Sequence, residues 1–132
     1  MQASATWVTE DRFVGVASSG HAVVTDASET KLSSSPLELV LIGLCGCTAS
    51  DVTTILRKKR ESFSFLEVHA HAERAPEPPM VFTAIKLLYR ISSSVSHKAM
   101  EDAVRLSREK YCSVSQMLSK TAKITDEIEY VD

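Results

Sequence analysis

The stretch Ser35-Pro36-Leu37-Glu38, followed without a break by Leu39-Val40-Leu41-Ile42-Gly43-Leu44-Cys45-Gly46-Cys47, decides the architecture. Serine at the N-cap, proline at the first helical position and glutamate at the third form a capping box with a proline start. The pattern predicts a helix over 35–60, about 37 Å long at 1.5 Å per residue. Its first half is apolar all round and its end is Arg57-Lys58-Lys59-Arg60, a cationic finish that suits the helix dipole. A helix apolar on every side is expected to be buried on every side. Gly43 and Gly46 sacrifice helix propensity, which predicts that another backbone packs close to them.

Upstream, residues 1–30 read as an N-terminal β-meander: Ala3 to Val8, Phe13 to Ala17 and His21 to Thr25, with turns at Glu10-Asp11 and Ser18-Ser19-Gly20. Asp26 to Ser35 is a polar link without periodicity. Downstream, residues 65–91 read as an antiparallel hairpin, its strands separated by the proline-rich Arg74 to Met80. Leu66, Val68, Ala70 and Ala72 oppose Glu67, His69, His71 and Glu73, and on the next strand Ile85, Leu87, Tyr89 and Ile91 oppose Lys86 and Arg90. Residues 97–120 hold two helices, one from His97 to Lys110 and one opened by a capping box from Ser113 to Gln116. A strand over 123–131 closes the chain. The order is α+β in one domain, 1–132; alternating βαβ units and a glycine-rich phosphate loop are both missing.

Composition narrows the function classes. The chain has 132 residues, 44% of them hydrophobic, and a formal charge of −2, so it has no basic field to hold nucleic acid. Leu39 to Cys47, the longest apolar run, is half a bilayer crossing, and Met1 to Glu10 lacks the pattern of a signal peptide. A soluble, cytoplasmic protein with no membrane partner is expected. Three cysteines in such a compartment are too few for a disulfide framework, so any role for them is chemical or they are simply buried.

Cys45 and Cys47 lie about 200° apart around the helix axis and cannot share a metal. Cys47 sits far from the helix N-terminus and needs a nearby cation or donor to ionise at neutral pH. Cys112 precedes the capping serine of a helix, where free N–H groups favour an anion, which makes it the more acidic thiol on local grounds. Two thiols far apart in sequence would suit a peroxidatic and resolving couple. His69 and His71 share a strand face with Glu67 and Glu73 and could hold a metal, but a half-exposed sheet shows the same face, with Lys86 and Arg90 as cross-strand partners. No metal and no cofactor is expected. His21 and His97 are isolated, Glu38 is accounted for by the capping box, and Arg57 to Arg60 read as a solvated helix end.

The segments Ser35-Pro36-Leu37-Glu38-Leu39, Cys47 and Tyr111-Cys112-Ser113-Val114-Ser115 resemble the OsmC and organic hydroperoxide resistance superfamily, most closely its small YhfA-like branch. The resemblance extends over most of the chain, including the Trp7 strand and the Ser19-Gly20-His21 turn. It implies an intertwined homodimer in which antiparallel sheets from both chains wrap two long central helices. It also implies reduction of small organic hydroperoxides in oxidative-stress defence, with Cys47 attacking and Cys112 resolving to a disulfide that a dithiol reductant, such as a lipoylated protein, resets. In the catalytic branches a glutamate and an arginine support the attacking thiolate. Leu37 stands at the glutamate's place; Glu38, one position on, and Arg12, in the N-terminal strands, are the nearest candidates, with Arg105 or Arg108 reaching over from another helix. Those departures keep a second class open: the same dimer as a small-ligand-binding or redox-sensing module.

Overall fold

The computed structural model describes all residues, Met1–Asp132. Its elements in chain order are β1 (Ala3–Thr9), β2 (Arg12–Ala17), β3 (Ala22–Asp26), α1 (Pro36–Lys58), β4 (Leu66–Arg74), β5 (Phe82–Ser92), α2 (His97–Leu106), a π-helical turn (Ser107–Tyr111), α3 (Ser113–Leu118) and β6 (Lys123–Val131). The fold is mixed α+β with two three-stranded sheets, and the chain forms two compact units, Met1–Ile42 and Gly43–Asp132.

In the first unit β1, β2 and β3 form an antiparallel meander, with Trp7 opposite Phe13 and Val14 opposite Val24. The link after β3 is organised by Asp26, whose carboxylate accepts the backbone N–H groups of Ser28 (2.9 Å) and Leu32 (3.0 Å). These bonds, with the Arg12 guanidinium at 2.9 Å, hold its carboxyl far below the usual range. The helix start shows the reciprocal capping pair: Ser35 N–H donates to Glu38 Oε1 at 2.8 Å, and Glu38 N–H to Ser35 Oγ at 3.2 Å.

In the second unit the stripe Leu44, Thr48, Val52, Ile55 and Leu56 of α1 is buried at i, i+4 spacing. The inward face of β5, Ile85, Leu87, Tyr89 and Ile91, is no more than 1% exposed. Each such side chain contributes about 1.5–3 kcal/mol through removal from water. Met100, Ala103 and Val104 complete this core from α2. On the other face of the sheet, Arg90 bridges Glu67 and Glu129, and Lys86 pairs with Glu127 of β6 rather than with β4.

Four expectations need correction. The second sheet is not wholly antiparallel: β4 and β5 are, but β6 runs parallel to β5, Ile85 opposite Ile124 and Tyr89 opposite Ile128. The helices between Ser93 and Ala122 carry the chain back to the starting end, as a parallel connection requires. The helix expected from His97 to Lys110 stops at Leu106 and widens into the π turn, where Cys112 N–H reaches Ser107 C=O at 2.8 Å. No Ser113–Gln116 capping box forms; Cys112 is itself the N-cap of α3, its sulfur accepting Ser115 N–H at 3.3 Å, and the Gln116 amide donates to Arg108 C=O instead. Finally, α1 is not buried all round by its own chain: Ile42 is 58% exposed, and a Cβ placed on Gly43 or Gly46 meets nothing within 4 Å. By length and composition α1 would also suit a membrane crossing.

Helix α1 ends with Arg60 at φ 58°, which aims Glu61 N–H at Leu56 C=O and Arg60 N–H at Arg57 C=O. This is the Schellman arrangement, with arginine where glycine is usual.

Candidate functional site

Cys47 and Asp51 lie four residues apart on α1 and so share a face. The π turn brings Ser107 and Cys112, five residues apart, onto one side, because its i to i+5 bond closes between these two residues. The two pairs meet. Cys47 Sγ, Cys112 Sγ and an Asp51 carboxylate oxygen all lie within 4.8 Å of one another. Ser107 Oγ donates to Asp51 Oδ2 at 2.9 Å, which fixes the carboxylate's orientation.

The three cysteines are free and differ in environment: Cys112 is fully buried, while Cys45 and Cys47 are partly exposed. Burial pushes the Cys112 thiol up, opposed by the hydrogen bonds from Ser115; the neighbouring Cys47 raises it further. Its place at a helix start therefore does not make it acidic, because desolvation outweighs the cap of a six-residue helix. The Cys45 thiol is raised by burial as well.

Tyr89 is 0% exposed and its hydroxyl has no hydrogen-bond partner. Burial, and then the negative charge of Asp126, push that phenol well up. The Thr48 hydroxyl beside it donates to the Leu44 and Cys45 carbonyls, both at 3.1 Å. Arg108 donates to the Ile124 carbonyl at 3.0 Å and to Asp126, whose carboxyl burial raises and Arg108 lowers. A cleft of about 420 Å³ opens at Asp51, lined also by Ile55, Lys58, Lys59, Leu106 and Tyr111.

The supporting residues named from sequence have other partners. Arg12 pairs with Asp26 and, at 3.5 Å, with Glu10; Glu38 caps its helix. Arg105 pairs with Asp102 and Glu109, and Arg108 with Asp126. His69 Nε2 lies 2.7 Å from Glu67, which Arg90 also holds. Sequence reading passed over Asp51 and Ser107. A signal for Asp51 existed: a carboxylate four places after Cys47 on the same helix, in its interior and away from both the capping Glu38 and the cationic end. Ser107 had none, since its position depends on the π turn.

Comparisons with known proteins agree with this architecture. Residues 29–127 match the model of the family described as OsmC-like protein. The chain is 40% identical to Protein YhfA of Escherichia coli K12 over 132 residues, 99% of this chain and 98% of that one. A crystal structure of a hypothetical protein from Aquifex aeolicus VF5 is 30% identical, with a TM-score of 0.84 over 99% of this chain and 97% of that one. An organic hydroperoxide resistance protein OsmC from Legionella pneumophila shares the fold, with a TM-score of 0.75 over 98% and 96% of the two chains at 14% identity. The match over residues 29–127, with full-length similarity to YhfA, places this chain in the OsmC-like protein family.

Proposed function

We propose that this protein reduces small organic hydroperoxides with Cys47 as the attacking and Cys112 as the resolving cysteine. The observation that supports it is the meeting of a partly exposed thiol and a fully buried one within 4.8 Å. Attack needs a sulfur that peroxide can reach; resolution needs only one that can reach Cys47. The Asp51 carboxylate accepts the Cys47 proton, directly or through one water. The Cys47 thiolate then attacks the terminal peroxide oxygen, the O–O bond breaks, and the alkoxide leaves as alcohol, with Cys47 oxidised to sulfenic acid. The Cys112 sulfur attacks that of Cys47, water leaves, and a disulfide forms; a dithiol of the lipoyl type restores both thiols by two exchanges. Named hydroperoxide resistance in a structural relative of the same fold supports this reading.

The working form in this proposal is a homodimer. Trp7 at 64% and Ile42 at 58% exposure in the first unit, and separately the open glycines Gly43 and Gly46 in the second, are positions that a second copy would cover. The compartment proposed is the cytoplasm, whose reducing poise keeps the thiols free between turnovers. Cys47→Ser is expected to abolish consumption of an organic hydroperoxide by the reduced protein, and native-rate consumption by that variant overturns the proposal. A second reading, a redox-sensing or ligand-binding module, draws on one observation: a carboxylate adjoins Cys47. Oxidation that occurs once but does not turn over with any dithiol would favour it.

A further inference from the structure

We infer that the reduced protein binds a zinc ion on Cys47, Cys112 and Asp51. Two thiols and a carboxylate are a donor set that borderline-soft, d¹⁰ Zn²⁺ accepts, and three protein ligands leave a fourth position for water. The donors come from two elements and already lie within 4.8 Å of one another. Tetrahedral zinc with Zn–S near 2.3 Å requires donor separations of about 3.8 Å, so closing on the ion needs movements of about 1 Å, within the reach of side-chain rotation.

Three further features fit a metal. The carboxylate ligand has its own outer partner, since Ser107 Oγ donates to Asp51 Oδ2 and leaves the other oxygen free of that bond. The 420 Å³ cleft gives access to the carboxylate ligand, since Asp51 lines it. The charge also asks for a cation. Two thiolates and a carboxylate carry three negative charges; Arg108 is paired with Asp126 and Lys59 with Asp102, while Lys58 lines the same cleft as Asp51. A divalent ion supplies positive charge directly at these sulfurs.

Zinc and disulfide use the same two sulfurs, so the two states exclude each other. Binding therefore belongs to the reduced protein alone and stands or falls independently of any reaction with peroxide.

The test is anaerobic titration of the reduced, metal-free full chain with Co²⁺ as spectroscopic probe, followed by displacement with Zn²⁺. One equivalent is expected to give thiolate-to-cobalt charge-transfer absorption with tetrahedral d–d bands, bleached by one equivalent of Zn²⁺. Cys47→Ser and Cys112→Ser should each lose the two-thiolate spectrum, and Cys45→Ser should keep it. Ser107→Ala, which removes only the outer partner, should weaken Zn²⁺ binding about 10–100-fold, a change that does not depend on a cysteine variant folding. Protein oxidised beforehand to the disulfide should bind neither ion. No thiolate band on the reduced protein, or a band that survives in Cys47→Ser, overturns the assignment. Because no peroxide is present, a protein inert to hydroperoxides can still pass, and an active peroxidase can still fail.

Discussion

Ser107 and Asp51 are joined by a 2.9 Å hydrogen bond across 56 residues of sequence, and this bond ties the π turn to the face of α1 that carries Cys47. A bond to a carboxylate is worth about 1.5–3 kcal/mol, less here because Asp51 is only partly buried. A double-mutant cycle of Ser107→Ala and Asp51→Ala in urea unfolding should give a coupling of about 1 kcal/mol. Strictly additive costs would mean that the bond is not made in solution.

The thiols should separate by access. Native-state alkylation followed by peptide mapping should label Cys47 ahead of Cys112, which is 0% exposed. Because burial raises the Cys112 thiol, its labelling should rise only at pH above the ordinary thiol range. Equal rates for the two at neutral pH would contradict this arrangement.

Asp26 gives the first unit a pH signature. Its folded carboxyl is depressed, chiefly by the Leu32 and Ser28 hydrogen bonds and by Arg12, so its stabilisation is fully present above the unfolded value near pH 4 and is lost as pH falls below that. The urea midpoint should fall through this window, and Asp26→Asn should flatten the fall while lowering the midpoint at neutral pH. An unchanged acid limb in that variant would count against the role given to Asp26.

Arg60 holds φ 58° at the end of α1. A left-handed conformation costs a non-glycine residue about 1–2 kcal/mol, so Arg60→Gly should raise stability by about 0.5–1 kcal/mol after the entropy of the unfolded glycine is counted. Thermal or urea unfolding reads the change; destabilisation by the substitution would show that the arginine side chain does more than close the helix.

The elements that were legible in sequence are those with strictly local causes. Ser35-Pro36-Leu37-Glu38 fixes the start of α1 because the cap needs only residues within one turn, and the alternation of Ile85, Leu87, Tyr89 and Ile91 marks the buried face of β5 because strand periodicity is local. The direction of β6 was not legible, since alternation of Ile124, Asp126 and Ile128 reads the same in a parallel or antiparallel pair. Nor was the π turn, as Met100, Ala103, Val104, Ser107 and Tyr111 keep a 3.6-residue period straight through it. That one irregularity brings Ser107 to Asp51 and makes Cys112 an N-cap, so the supporting half of the candidate site was hidden even where its cysteines were not. Tyr89 shows the same limit: the pattern placed it in the core but said nothing of its unpartnered hydroxyl.

The account rests on Cys47 and Cys112 acting as a redox couple. Its most direct test is to treat the fully reduced protein with one equivalent of an organic hydroperoxide and measure the intact mass and the linked peptides. The account predicts loss of two hydrogens and a single Cys47–Cys112 disulfide, with alcohol formed in equal amount. Reduced protein that leaves the hydroperoxide intact, or a disulfide that instead includes Cys45, would contradict it.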